Sequence, residues 1–415
     1  MQPVTVGDRT LVSSIGGQAV EPPADTIESV VLVTPLWGRN GGVATHVQTS
    51  AEALARHGFD VHVLTAQINS GISPPGVTLH HRPQLLERDA PTEVRLGDFT
   101  SLSASVIHIH QRDDPKMVRL LRRSAPVVIS AHGYPGCSSG VHYFTPGLEC
   151  TRAHGPGCIP NLLARGCAHT RYPRTLPAKY VNVSRGLAAL RLADLAVSYS
   201  STIDRHLAVN GLTRRAIVPC FPTIPAASAE PTARRVVFAG RVEQPKGVAV
   251  LIQAAREVDA EFVICGGGRQ LEAMRELAAG LGVDDRIRFT GWLEPDELAG
   301  ELAAASVVVV PSLWPEPFGL VGIEALAAGR PVIASATGGI LDWLEDAVGL
   351  RVRPGDATEL ADALRRLLSE PERQRAMGAA GRRLVAERFS PERHVQALTD
   401  AYGRARRDWL AERGR

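Results

Sequence analysis

From Ser29 onward, short runs of valine, isoleucine and leucine alternate with stretches whose apolar residues recur at helical spacing. That alternation is the pattern of a parallel sheet flanked by helices. Residues 30–34 (Val-Val-Leu-Val-Thr) read as a first strand, 35–42 as a loop, 43–57 as a helix and 61–65 as a second strand, one β-α-β unit. Strand patterns recur at 77–81, 106–110, 127–130 and 195–198. The first half is expected to be a Rossmann-like domain.

Residues 217–225 carry three prolines, and the Ala/Ser/Glu stretch after them has no periodicity, so the chain from 219 to 232 reads as an interdomain linker. A second α/β unit follows, with strand patterns at 236–239, 262–265, 287–290, 307–310 and 331–334. Asp356 with Glu359 resembles a capping box, and Ser390-Pro391-Glu392 is a start signal for one last long helix. The predicted division is a loosely ordered extension (1–25), an N-terminal domain (26–218), the linker (219–232), a C-terminal domain (233–392) and a terminal helix (393–415). One long irregular insertion, 134–177, interrupts the first domain.

Composition narrows the function classes without choosing among them. With 44% hydrophobic and 21% charged residues the 415-residue chain is an ordinary globular protein, long enough for two apolar cores. Its formal charge of +3 is spread without a basic block, so nucleic acid is not expected as the partner. No apolar run approaches the roughly 18 residues of a membrane span, and no secretory leader is evident, so a cytoplasmic protein is expected. Only Lys116, Lys179 and Lys246 are lysines among 46 basic residues, which makes each lysine conspicuous.

Two segments carry chemistry. Pro311-Ser312-Leu313-Trp314-Pro315-Glu316-Pro317-Phe318-Gly319-Leu320 follows the strand at 307–310, and α/β domains bind ligands at such carboxyl ends. A helix starting near Phe318 would turn the amides of Phe318, Gly319 and Leu320 toward a diphosphate, with Gly319 permitting close approach. Glu316 before that helix and Glu324 two turns inside it fall on one side and can face one extended ligand. Glu324 sits in an almost wholly apolar context, where a carboxylate needs a partner such as vicinal ribose hydroxyls. The second segment is Gly240-Arg241 to Lys246-Gly247, also after a strand. It places a guanidinium and an ammonium where they could neutralise a diphosphate without a metal.

These two segments, including the Glu-x7-Glu spacing of Glu316 and Glu324, closely resemble glycosyltransferase family four of the retaining GT-B enzymes, over about residues 29–404. The resemblance implies two Rossmann-like domains facing across a cleft, acceptor side first and nucleotide-sugar side second, with the terminal helix returning to the first domain. It implies a metal-independent, retaining transfer from a nucleoside diphosphate sugar, with no cofactor. Front-face attack would pass through an oxocarbenium-like ion pair. By resemblance, Glu324 holds the donor ribose, Glu316 lies near the sugar ring, and Arg241 and Lys246 bind the diphosphate. Trp292 and Leu293, after Gly291, fall where backbone holds the base, and Gly41-Gly42, after Asn40, form a loop that closes on the donor. His110 matches a histidine reaching the sugar, with His132 at the next strand end and His108 reading as structural. A nucleotide-sugar 2-epimerase and a non-catalytic nucleotide-sugar-binding protein are the alternatives.

Cys137, Cys150, Cys158 and Cys167 recur at intervals of 13, 8 and 9 residues within the insertion. The intervals lack the close pairs of a zinc site, so structural zinc, disulfides and reduced thiols all remain open, and no metal takes part in the expected chemistry. The acceptor, the base and the oligomeric state are not legible in the pattern. A sugar, an aminocyclitol, an inositol, a thiol and a lipid-linked acceptor all fit.

Overall fold

A computed structural model describes residues 27–414 except 39–40, 70–72, 88–91, 93–95, 97–103, 111–113, 138–149, 165–166, 168–172, 226 and 228. The extension at 1–25 and part of the cysteine insertion therefore lie outside the described residues. Two sheets are present. The first contains β1 (Ser29–Trp37), β2 (Asp60–Ile68), β3 (Val77–His81), β4 (Val106–His110), β5 (Val127–Ala131), β6 (Leu195–Ser198) and β7 (Arg215–Ile217) in the order 3-2-1-4-5-6-7. The second contains β8 (Arg235–Ala239), β9 (Glu261–Cys265), β10 (Ile287–Gly291), β11 (Val307–Val310), β12 (Val332–Ser335) and β13 (Gly349–Val352) in the order 10-9-8-11-12-13. Every named strand pair is parallel. Two doubly wound α/β domains with a terminal helix make the GT-B class expected from the sequence.

The central strands are apolar on both faces, as helices covering both sides of a parallel sheet require. β4, β5, β6 and β11 are buried along their whole length. Each strand order reverses at one point, beside β1 and β4 in the first sheet and beside β8 and β11 in the second. Such switch points leave crevices at the strands' carboxyl ends, and the chemistry-bearing loops leave β4, β8 and β11 there.

The last helix, Pro391–Ala411, starts with Pro391 at its first position and with Ser390 Oγ accepting from the Arg393 amide at 3.3 Å. It then packs on the first domain. Trp409 Nε1 donates to Arg122 O at 2.9 Å, Arg406 Nη1 to Ser105 O at 3.0 Å, and Tyr402 is fully buried beside His108. Among the described residues no helix is long and apolar enough to cross a membrane.

Three local expectations need correction. The helix expected near Phe318 spans Leu320–Ala327, because Gly319 adopts a left-handed φ of +84° and the helical backbone begins after it. The Asp356–Glu359 capping box is only half formed. Asp356 Oδ1 accepts from the Glu359 amide at 2.8 Å, but the Glu359 carboxylate turns to Arg353, accepting from its amide at 2.9 Å and from Nε at 2.8 Å. Residues 215–217, for which the pattern gave no strand, form β7.

Candidate active site

Two loops of the second domain are locked together at the ends of β8 and β11. Gly247 has a φ of +70°, and a Cβ there would lie 1.9 Å from Pro311 O, so only glycine lets one loop rest on the other. Leu313 N donates across the same seam to Pro245 O at 2.8 Å. This contact brings Lys246 Nζ to 2.7 Å from Glu316 Oε1. The same oxygen accepts from Ser312 Oγ at 2.6 Å and Trp314 Nε1 at 3.0 Å. Glu316 is only 4% exposed, and three donors offset the cost of burying its charge. Lys246 also stands 5.7 Å from the centre of the Trp314 ring.

Arg241 behaves differently. Its side chain is 60% exposed and its nearest anion, Glu243, is 3.7 Å away. Arg269, which the sequence did not single out, shares Glu243 at 3.8 Å. The two guanidiniums thus stand near one carboxylate, Glu243, on the loop that also carries Lys246, and both are loosely held.

Beyond Glu316 the loop is pinned from below. Trp343 Nε1 donates to Phe318 O at 2.7 Å, and a Cβ on Gly322 would come within 2.1 Å of the Trp343 ring, so the helix Leu320–Ala327 lies directly on that indole. The Phe318 carbonyl and buried ring are used in packing, while Gly319 and Leu320 stand at the helix start. Glu324 is 5% exposed and its Oε1 accepts from the Thr223 amide at 3.2 Å and Thr223 Oγ1 at 2.7 Å. Burial pushes the Glu324 carboxyl above the usual range, and the two Thr223 bonds pull it back in part. The two glutamates are therefore both buried and held by separate partners.

At the end of β10, Gly291 has φ +72° and Trp292 is 67% exposed, with Leu293 partly buried. A Cβ on Gly267 would be 2.8 Å from Trp292 Nε1, so the indole edge lies against backbone. Gly266 is equally crowded, since a Cβ there would be 1.9 Å from Gly240 O, whereas a Cβ on Gly240 would meet only the Phe238 ring at 3.5 Å.

In the first domain, Gly41 (φ +98°) and Gly42 are exposed at the start of the helix Gly42–Arg56. Their neighbour Asn40 lies outside the described residues. His110, the histidine expected to reach the sugar, is 2% exposed, and its Nδ1 meets His132 Nε2 at 2.9 Å. His132 is the partly exposed member of the pair. A β4 position buried on both faces encloses His110, whereas His132 lies one residue past the end of β5. His108 joins Tyr402 OH and Ser130 Oγ, each at 2.8 Å, and Ser130 joins Tyr199 OH at 2.6 Å.

Sequence reasoning missed two further histidines in this cluster. His46 packs edge-on to Tyr199, His132 and His394 with ring centres 4.7, 5.8 and 5.3 Å away. His394 Nδ1 donates to Pro219 O at 2.8 Å, so its Nε2 is the acceptor for Ser50 Oγ at 3.0 Å. Burial, reinforced by neighbouring imidazoles for His46, His108, His110 and His132, lowers these four well below 6.5; burial takes His394 to about 4. The whole cluster is neutral at pH 7. A helical histidine beside apolar residues gives no signal in sequence that distinguishes it from a surface one.

A third-sided contact crosses between the domains. Asp342 Oδ2 accepts from the Ser201 amide at 2.6 Å and Oδ1 from Ser201 Oγ at 2.5 Å, so a second-domain carboxylate caps the helix Ser201–Val209 of the first. Gly339, on the same turn as Asp342, donates to Glu316 O at 2.7 Å. As for the cysteines, no group of three or more histidine, cysteine or acidic residues is placed to hold a metal among the described residues.

Residues 221–384 match the model of the glycosyl transferases group 1 family. The chain is 30% identical to D-inositol 3-phosphate glycosyltransferase of Nocardia farcinica, over 92% of its own length and 88% of that protein's. It is a group 1 glycosyltransferase. The same named enzyme of Xylanimonas cellulosilytica is 29% identical over 92% of this chain and 95% of the relative. Among solved structures, this glycosyltransferase resembles sucrose-phosphate synthase from Thermosynechococcus elongatus, with a TM-score of 0.66 and 24% identity over 93% of this chain and 100% of that one. It also resembles Anabaena HepE solved with UDP and glucose, with a TM-score of 0.64 and 16% identity over 90% and 99%. Those two likenesses establish the GT-B fold for the group 1 enzyme, and the sequence relatives establish its class of activity.

Proposed function

We propose that this glycosyltransferase moves a sugar from a nucleoside diphosphate sugar to a hydroxyl acceptor with retention of anomeric configuration and without a metal ion. The observation that carries this reading is the locked pair of loops, which sets Lys246 on Glu316, with the exposed Arg241 on the Lys246 loop. The C1–O bond to the β-phosphate breaks, the acceptor oxygen bonds to C1 on the same face, and the departing phosphate oxygen takes the acceptor proton. Arg241, Lys246 and the helix start at Gly319 and Leu320 meet the charge that grows on the leaving group, which is electrostatic catalysis by preorganised groups. Gly240 leaves room for the phosphates, Glu324 takes the ribose hydroxyls, and Trp292 and Leu293 take the base. Gly41 and Gly42 approach from the first domain.

His110 serves the sugar: His132 Nε2 holds its Nδ1, and its Nε2 has no hydrogen-bond partner among the described residues. Uracil is supported as the base by the UDP in the Anabaena structures, and an inositol phosphate as the acceptor by the names of the relatives. The test is product mass spectrometry with UDP- and GDP-sugars against D-inositol 3-phosphate. A glycosylated inositol phosphate formed with release of the nucleoside diphosphate supports the reading, and intact donors with a folded enzyme contradict it.

A further inference from the structure

The interdomain linker hydrogen-bonds Glu324 through Thr223. Thr223 stands four residues past the Pro219 carbonyl that His394 holds, within a stretch whose prolines at 219, 222 and 225 leave few backbone conformations. Both of its donors, the amide and the hydroxyl, converge on a single oxygen, Glu324 Oε1. Glu324 comes from the opposite side, from the middle of the helix Leu320–Ala327, and is otherwise walled by the apolar residues Pro222, Ile224, Ala327 and Phe389 around a cavity of about 390 Å³. Among the described residues the other charged side chain lining that cavity is Arg382, on the helix Pro371–Arg388.

We infer that Thr223 is a positioning residue for the donor nucleotide: its paired bonds hold the Glu324 carboxylate ionised and aimed, leaving Oε2 for the ribose hydroxyls. This inference rests on the assignment of Glu324 to the ribose. Two donors on one oxygen fix the carboxylate plane, which a single bond cannot do, and hydrogen bonds to the ionised form favour it over the neutral acid. Because Thr223 belongs to the linker, a displacement of the linker on domain movement releases Glu324, so nucleotide affinity and domain position are tied through this contact. The linkage is reciprocal, and bound nucleotide should hold the linker as the linker holds Glu324.

The test compares Thr223→Val, which removes only the hydroxyl, with Thr223→Ser, which keeps it, and with Glu324→Ala. Calorimetry with UDP and with GDP is run from pH 5 to 8 on the full chain. Thr223→Val should weaken the better nucleotide by about tenfold at pH 7, the size of one hydrogen bond to a charged group. Its acid-side loss of affinity should begin at higher pH than in the unaltered protein, because a bond that favours the ionised carboxylate is gone. Turnover at saturating donor should fall much less than donor KM rises, and Thr223→Ser should restore both affinity and pH profile. If Glu324→Ala loses affinity while Thr223→Val keeps the unaltered affinity and profile, Thr223 is not a positioning residue and the ribose assignment stands. If neither variant changes affinity, the ribose assignment itself is wrong and the inference falls with it. Should Thr223→Val fail to fold, Thr223→Ser and Thr223→Ala are compared by the same profile, and coincident curves for those two overturn the inference.

Discussion

Lys246 serves a buried carboxylate, and that changes what its removal should do. Beside an arriving diphosphate its ammonium would be shared between Glu316 and the phosphates. Lys246→Ala should therefore reduce turnover and also destabilise the fold by about 1–3 kcal/mol, because Glu316 keeps only the neutral Ser312 and Trp314 donors. Adding Glu316→Gln should recover part of the melting temperature without recovering turnover. Simple additivity of the two stability losses would contradict this coupling. Arg241→Ala should cost turnover at an unchanged melting temperature, since that side chain is exposed and only loosely paired. For Glu324→Ala the expected loss of nucleotide affinity is about 1.5–3 kcal/mol, measured calorimetrically. In the unaltered protein that affinity should fall on acidification at a higher pH than for an ordinary glutamate. The sign follows from the raised carboxyl: the ionised form is fully present only above the raised value and is lost as pH falls through it. Glu316, Glu324, Arg241 and Lys246 were legible because charged residues at fixed spacing after a strand are unusual. Thr223, Ser312 and Trp314 were not, since nothing in a sequence tells which neutral donors will reach a given carboxylate.

At the level of elements, a strand's legibility depends on its place in the sheet. The interior strands carried unbroken apolar runs and were placed within a few residues. β7 is three residues long with partly or fully exposed positions, and β13 is four residues long and buried only at its two ends, so these two edge strands escaped the pattern. The start of the Leu320 helix was misplaced because Gly319, read as room for a ligand, takes a left-handed conformation that begins the helix after it. The terminal helix was legible from Ser390-Pro391, but its contacts were not. His394 and Tyr402 place it in the imidazole cluster under the first domain. That cluster predicts acid lability. Each histidine titrates below its unfolded value of about 6.5, so the unfolded chain binds more protons as pH drops. Stability is complete above about pH 6.5 and is lost progressively toward about pH 4, where His394 titrates in the fold. Thermal denaturation across that range should show the fall, and His46→Phe should flatten it. An unchanged slope in that variant would remove His46 from the cause.

For the whole molecule, the features that join the two domains among the described residues include the proline linker, the returning helix, the Tyr134–Trp314 ring contact and the Asp342–Ser201 cap. The cap is tied to the Glu316 loop through Gly339, which donates to Glu316 O. Asp342→Ala should raise donor KM while leaving each domain folded, and scattering with and without saturating UDP-sugar should show a larger change in radius than the unaltered protein gives. An identical radius change would separate Asp342 from domain closure. Activity should also survive EDTA, because an arginine, a lysine and a helix start supply the charge that a divalent ion supplies elsewhere. The most direct measurement is a proton NMR time course of the enzyme with an α-linked UDP-sugar and D-inositol 3-phosphate in the presence of EDTA. The prediction is loss of the donor's anomeric signal in step with a new α-anomeric signal on the inositol phosphate and stoichiometric UDP. A β-anomeric product, or turnover that appears only when Mg²⁺ is restored, would contradict it.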